Sequence, residues 1–159
     1  MRQLLQWIAM GVLCCIITAV GMSCSEEADC TNANRPMLNA KVYGYLNDTL
    51  YAVALDSLTV TAMGTDSVIV NRDANVSAMT LPLRYAEETT VFVLHYVGNI
   101  KDTVTVTHHN TPYFLSMECG YQMKQEITGI RCTTYGLDSI VLKNPNIGIY
   151  GTENIALYY

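Results

Sequence analysis

From Leu38 to Tyr159 apolar and polar residues alternate in short runs separated by turn residues, the period of β-strands. Residues 57–62 read Ser-Leu-Thr-Val-Thr-Ala and 102–107 read Asp-Thr-Val-Thr-Val-Thr, each with one apolar and one hydroxyl face. Residues 89–97 are apolar on both faces and predict a central strand covered from both sides. Further strands are predicted over 38–46, 50–54, 67–70, 77–81, 113–117, 126–134, 139–143 and 154–158. Asn47-Asp48, Gly64-Thr65-Asp66, Gly98-Asn99, Gly136 and Asn144-Pro145-Asn146 punctuate them. About ten short strands predict an all-β domain, an antiparallel β-sandwich of immunoglobulin-like type, with a small β-barrel as the alternative. The tryptophan that marks immunoglobulin domains is missing from this body, since the chain's one tryptophan is Trp7.

The N-terminal end follows another pattern. Residues 1–23 carry a single charge, Arg2, and an apolar run over 7–20, which reads as a secretory signal. A membrane span needs about 20 apolar residues, so the run is short for one. Gly21 and Ser23 precede Cys24, and Ser25-Glu26-Glu27-Ala28-Asp29 follows it. This resembles a bacterial lipoprotein signal, in which cleavage before Cys24 is coupled to lipidation of its thiol. Gly21 stands where the usual lipobox has leucine, and Ala19-Val20-Gly21 also resembles an ordinary signal-peptidase site. The alternative is therefore a soluble periplasmic or secreted protein. Ser25, Glu26 and Glu27 resemble the surface-export tag of Bacteroidota lipoproteins, or form a solvated linker. The expected organisation is a signal peptide over 1–23, a lipidated N-terminus and linker over 24–34, and one domain over 35–159.

Composition narrows the class further. The chain is 50% hydrophobic and 14% charged, and its formal charge is −5. Its 9 lysines and arginines form no basic run, so no nucleic-acid partner is expected. Export permits disulfides. Cys14 and Cys15 leave with the signal, and lipidation of Cys24 leaves Cys30, Cys119 and Cys132, enough for one bridge and one free thiol. A Cys30–Cys119 bridge is expected, because it would tie the entering segment to the domain; the alternative, Cys119–Cys132, would close a short loop. No Cys/His spacing predicts a metal, and no cofactor is expected.

Candidate chemistry is sparse. Strand alternation sends His108 and His109 to opposite faces, and His95 reads as a hydrogen-bonded core residue. Glu87-Glu88 reads as a turn, and no hydrolase elbow, zinc-protease helix or phosphate-cradling glycine loop occurs. A non-enzyme is expected; a hydrolase using scattered residues such as His95, Glu87, Glu88 or Glu118 is the minor alternative. Tyrosines outnumber phenylalanines 11 to 2, which suits glycan or peptide recognition and equally suits water-facing strands. Five of the seven aspartates precede a hydroxyl and then an apolar residue, at Thr49, Ser57, Ser67, Thr103 and Ser139. Turn chemistry accounts for the repetition, with Asp closing a turn and Ser or Thr opening a strand. The pattern also resembles the O-glycosylation sequon of Bacteroidota, with those five hydroxyls as acceptors.

Several segments together resemble one family. Cys30 with Arg35-Pro36, residues 55–60, Leu81-Pro82-Leu83, residues 113–120 ending Glu-Cys-Gly, Asp138-Ser139-Ile140 and the closing 154–159 are similar to small Bacteroidales lipoproteins that form a domain of unknown function. The resemblance implies an exported, lipid-anchored β domain in which Cys30 and Cys119 recur as a pair. Arg84 replaces the more usual asparagine, and Cys132 is peculiar to this chain. The expected function is a non-enzymatic interaction or assembly module of the cell envelope, held on the outer membrane by its lipid and facing the periplasm or the cell surface. Its partner would be an envelope protein; the alternative is a glycan- or peptide-binding module.

Overall fold

The computed structural model describes Gln3, Gln6, Cys30 and residues 34–47, 49–65 and 67–159. Cys24 and the Ser25-Glu26-Glu27 segment lie outside the described residues, as do Asp48 and Asp66. No helix among the described residues is long and apolar enough to cross a membrane.

Among the described residues the fold is all-β, with eleven strands in two curled sheets that face each other as a sandwich. They are β1 (Leu38–Leu46), β2 (Thr49–Ala52), β3 (Leu58–Ala62), β4 (Ser67–Asp73), β5 (Ala78–Leu81), β6 (Thr89–His95), β7 (Lys101–Ser116), β8 (Gly120–Cys132), β9 (Ser139–Leu142), β10 (Asn146–Ile147) and β11 (Ile155–Tyr158). One sheet runs β2-β1-β11-β9, with β5 pairing on the first half of β1; the other runs β10-β8-β7-β6-β3-β4. Pairing is antiparallel throughout except between β1 and β11, the first and last strands, which run parallel.

Alternation drives the assembly. Leu38, Ala40 and Val42 of β1 turn inward with Leu58 and Val60, Phe92 and Leu94, Val104 and Val106, and Ile155 and Leu157. Each large side chain so buried contributes roughly 1.5 to 3 kcal/mol. The strand covered on both faces is β11 rather than β6. Tyr43 and Tyr45 stack on the outer side of Tyr158 at 5.8 and 5.7 Å between centroids, whereas Val91 and Val93 on the outer face of β6 keep some contact with water.

The two strands predicted over 102–107 and 113–117 are one. β7 runs through Asn110-Thr111-Pro112 without a break. Beyond Thr107 its strand partner is β8, which β10 flanks at Gln125 and Glu126, so the distal parts of β7 and β8 project past β6 as an arm that is two-stranded towards its tip. The reversal into β7 falls at residues 97–99, where Gly98 and Asn99 adopt positive φ. That places Asp102 inside a strand opposite Leu94, not in the turn expected of it.

Candidate functional site

The ends of the sandwich are closed by different chemistry. At one end β8 leaves its sheet after Cys132, and residues 133–138 cross to β9 in the other sheet. The fully buried carboxylate of Asp102 gathers that crossing. It accepts from the Thr133 hydroxyl at 2.7 Å and from the N–H groups of Tyr135, Gly136 and Leu137, each at 2.8 Å. Burial alone would push the carboxyl up. The Tyr135 N–H, the Thr133 hydroxyl and then the other two N–H groups outweigh it and hold Asp102 below the usual carboxylate range.

Beside this clamp Tyr96, after β6, and Tyr159, after β11, join the sheets by a 2.8 Å hydroxyl–hydroxyl bond. Burial raises both phenols, Tyr159 to about 12, so neither ionises near neutrality. A Cβ at Gly136 would meet the Tyr96 ring at 2.9 Å, so any larger residue there must displace that ring. Cys132 is a free thiol in this region; burial first, and then Asp102, raise its pKa, which makes it a poor nucleophile.

A second buried network lies where the arm leaves the sandwich. His108 is buried and its neighbour His109 exposed, on opposite faces. The Thr90 hydroxyl accepts from the Arg84 N–H and donates to His108 Nε2 at 2.9 Å. His108 Nδ1 donates to Asn110 Oδ1 at 3.0 Å, an oxygen that also accepts from Gln125. Asn110 Nδ2 donates to the carbonyls of Arg84, Tyr85 and Glu87. The Asn110 Oδ1 acceptor places a proton on Nδ1, and in the neutral ring Nε2 accepts from Thr90. Burial lowers the His108 pKa below the ordinary 6.5, against smaller opposing effects of Asn110 and Glu88.

The unfolded chain therefore takes up this proton first, and stability falls as the pH drops below about 6.5. For one proton the slope is no steeper than about 1.4 kcal/mol per pH unit. Urea midpoints measured from pH 7.5 down to 5 should show this loss, and the His108→Gln variant should show less of it.

The histidine expected in the core, His95, instead lies half-buried on the outer face of β6, bonded to the Thr61 hydroxyl at 3.0 Å. It lines a polar groove of about 560 Å³ with Ser57, Thr59, Asn71, Arg72 and Tyr96; no carboxylate is among the described lining residues. Glu87 and Glu88 lie in the irregular, bent segment before β6 and diverge, Glu87 to Arg84 at 2.6 Å and Glu88 to His109 at 2.8 Å. Glu118 is exposed at the tip of the arm. Among the described residues no group of three or more His, Cys, Asp or Glu side chains is arranged to hold a metal ion.

The five candidate glycosylation hydroxyls are spread over both sheets. Thr49, Ser57, Ser67 and Ser139 are exposed, and Thr103 is half-buried within β7.

The other end of the molecule is the arm itself. Its tip, Met117–Cys119, is joined to the N-terminal segment by a Cys30–Cys119 disulfide with Cα atoms 5.5 Å apart. Cys132 stands at the far end of β8, about 40 Å along the strand, beyond disulfide reach of Cys119. The segment after Cys30 is docked as well. Gln122 donates to the Asn34 carbonyl at 2.8 Å, and the Arg35 guanidinium lies 4.7 Å over the Tyr85 ring.

Phe114 and Tyr121 face each other across the arm, edge to face at 5.3 Å, and are 51% and 77% exposed; Met117 is 86% exposed. These three apolar side chains cluster at the tethered end. On the arm's flank Pro36, Tyr113, Leu115, Met123 and Ile147 line a mainly apolar groove of about 440 Å³.

The molecule is thus a β-sandwich with a polar clamp at one end and a disulfide-tethered arm at the other. The chain belongs to a family of unknown function, DUF6452, and the match covers residues 57–159. It begins after β1 and β2, yet β1 is the partner of β11, so the folded unit reaches further towards the N-terminus than the match does. No curated protein and no solved structure matches the chain.

Proposed function

We propose that this is an exported, lipid-anchored protein of the cell envelope, of the Bacteroidales lipoprotein type, whose β-sandwich serves as a non-enzymatic interaction or assembly module at the outer membrane. The observation that carries the reading is the Cys30–Cys119 bridge, because a structural disulfide belongs to an oxidising compartment. It agrees with the signal pattern over 1–23 and with the cysteine that follows it. Satisfied buried polar groups support a structural module. Asp102, His108 and Asn154 each spend their hydrogen bonds on joining segments of the fold. The exposed aromatics of the arm supply a surface on which a partner could bind.

Metabolic labelling with a palmitate analogue tests the anchor. Wild-type protein should take up label and Cys24→Ala should not; label retained by Cys24→Ala would overturn the reading. Protease added to intact cells then reports which face of the membrane the domain occupies.

A further inference from the structure

We propose that the tip of the arm, formed by Phe114, Met117 and Tyr121, is a lipid-contacting surface that rests on the bilayer holding the anchor. The inference depends on lipidation of Cys24 and adds to it a place on the domain. Only five residues lie between Cys24 and Cys30, so the six Cα-to-Cα steps of the tether span at most about 20 Å fully extended. Cys30 is covalently joined to Cys119, two residues from Met117, with 5.5 Å between the bridged Cα atoms. The acyl chains are thereby held near this end of the molecule and no other. Along β7 the opposite end, at Lys101, lies a further 50 Å or so away.

The chemistry of the tip suits an interface of this kind. Met117 is the most exposed large apolar side chain of the described residues, and Tyr121 carries its hydroxyl on an apolar ring, as side chains at the lipid–water boundary do. Within residues 113–121 the single charged side chain is Glu118, so the surface fits zwitterionic lipid and gains nothing from an anionic headgroup.

Tryptophan fluorescence tests the assignment. The only tryptophan of the chain lies in the signal, so processed protein carries none, and Met117→Trp and Val97→Trp each introduce a single reporter at an exposed position at one or the other end of β7. Acylated protein is reconstituted into phosphatidylcholine vesicles with and without bromine on the acyl chains, and its intact mass is measured in parallel. Insertion of the tip by about 5 to 10 Å should quench the Met117→Trp signal roughly twofold and leave the Val97→Trp signal unchanged. Equal quenching at both ends, or none at either, in protein whose mass includes the acyl chains overturns the tip assignment while the anchor stands. A mature mass without acyl chains overturns the anchor and the tip assignment together.

Discussion

Asp102→Ala should destabilise the protein by about 3 to 5 kcal/mol, read as a fall in the urea midpoint at constant slope. The carboxylate is fully buried, and its four donors belong to the segment that crosses between the sheets. Alanine leaves the N–H groups of Tyr135, Gly136 and Leu137 without an acceptor, at about 1 to 3 kcal/mol for each group that water does not reach. Asp102→Asn keeps the shape but aims an amide NH₂ at two donors, so it should also destabilise, by a smaller amount. The acid limb separates the charge from the packing. Because the folded carboxyl is held low, its contribution is complete above the ordinary carboxylate pKa and is lost as the pH falls through the folded value. Asp102→Asn should lack that part of the acid dependence. A midpoint within experimental error of wild type for Asp102→Ala would mean that the crossing segment is held by its apolar contacts, chiefly Leu137.

Alternation along the chain made the strands legible where one face is buried. β1 spans 38–46 as its pattern predicts, because Leu38, Ala40 and Val42 cannot shift register without exposing all three. The long β7 was not legible as one strand because Pro112 reads as a breaker. It is tolerated where β7 has lost β6 as a neighbour and one edge carries no strand. β10 has two residues, too few to carry any period.

Asp102 and His108 show what attention to parity alone could have found. They share the inward parity of Val104 and Val106, so the same alternation that buries the valines buries both polar groups. Which partners meet them was not legible. The donors to Asp102 come from more than 30 residues away, brought there by the crossing between sheets. The exposure of Met117, Phe114 and Tyr121 was equally hidden, since an apolar run at 113–117 reads the same in an arm as in a core.

Removing the tether, with Cys30→Ser and Cys119→Ser together, should lower stability by up to about 4 to 5 kcal/mol, the entropy returned to the unfolded chain by opening a loop of about 90 residues. The native state sets how much of this is realised. Asn34 and Arg35 remain docked by Gln122 and Tyr85, so opening the bridge frees only the chain before them and the tip itself. Losses should therefore concentrate at the tip, and proteolysis should reach Met117–Cys119 faster while amides around Val104 and Val106 stay protected. Cys132 cannot rescue the single Cys30→Ser variant. It stands about 40 Å down β8 from Cys119, and its thiol is kept protonated by burial. A double variant of unchanged stability and unchanged proteolysis would show that docking of 34–37 already fixes the N-terminal segment. Under the proposed lipidation of Cys24, the bridge would then serve to hold the anchor beside the arm, a loss that appears only with the lipidated protein on a membrane.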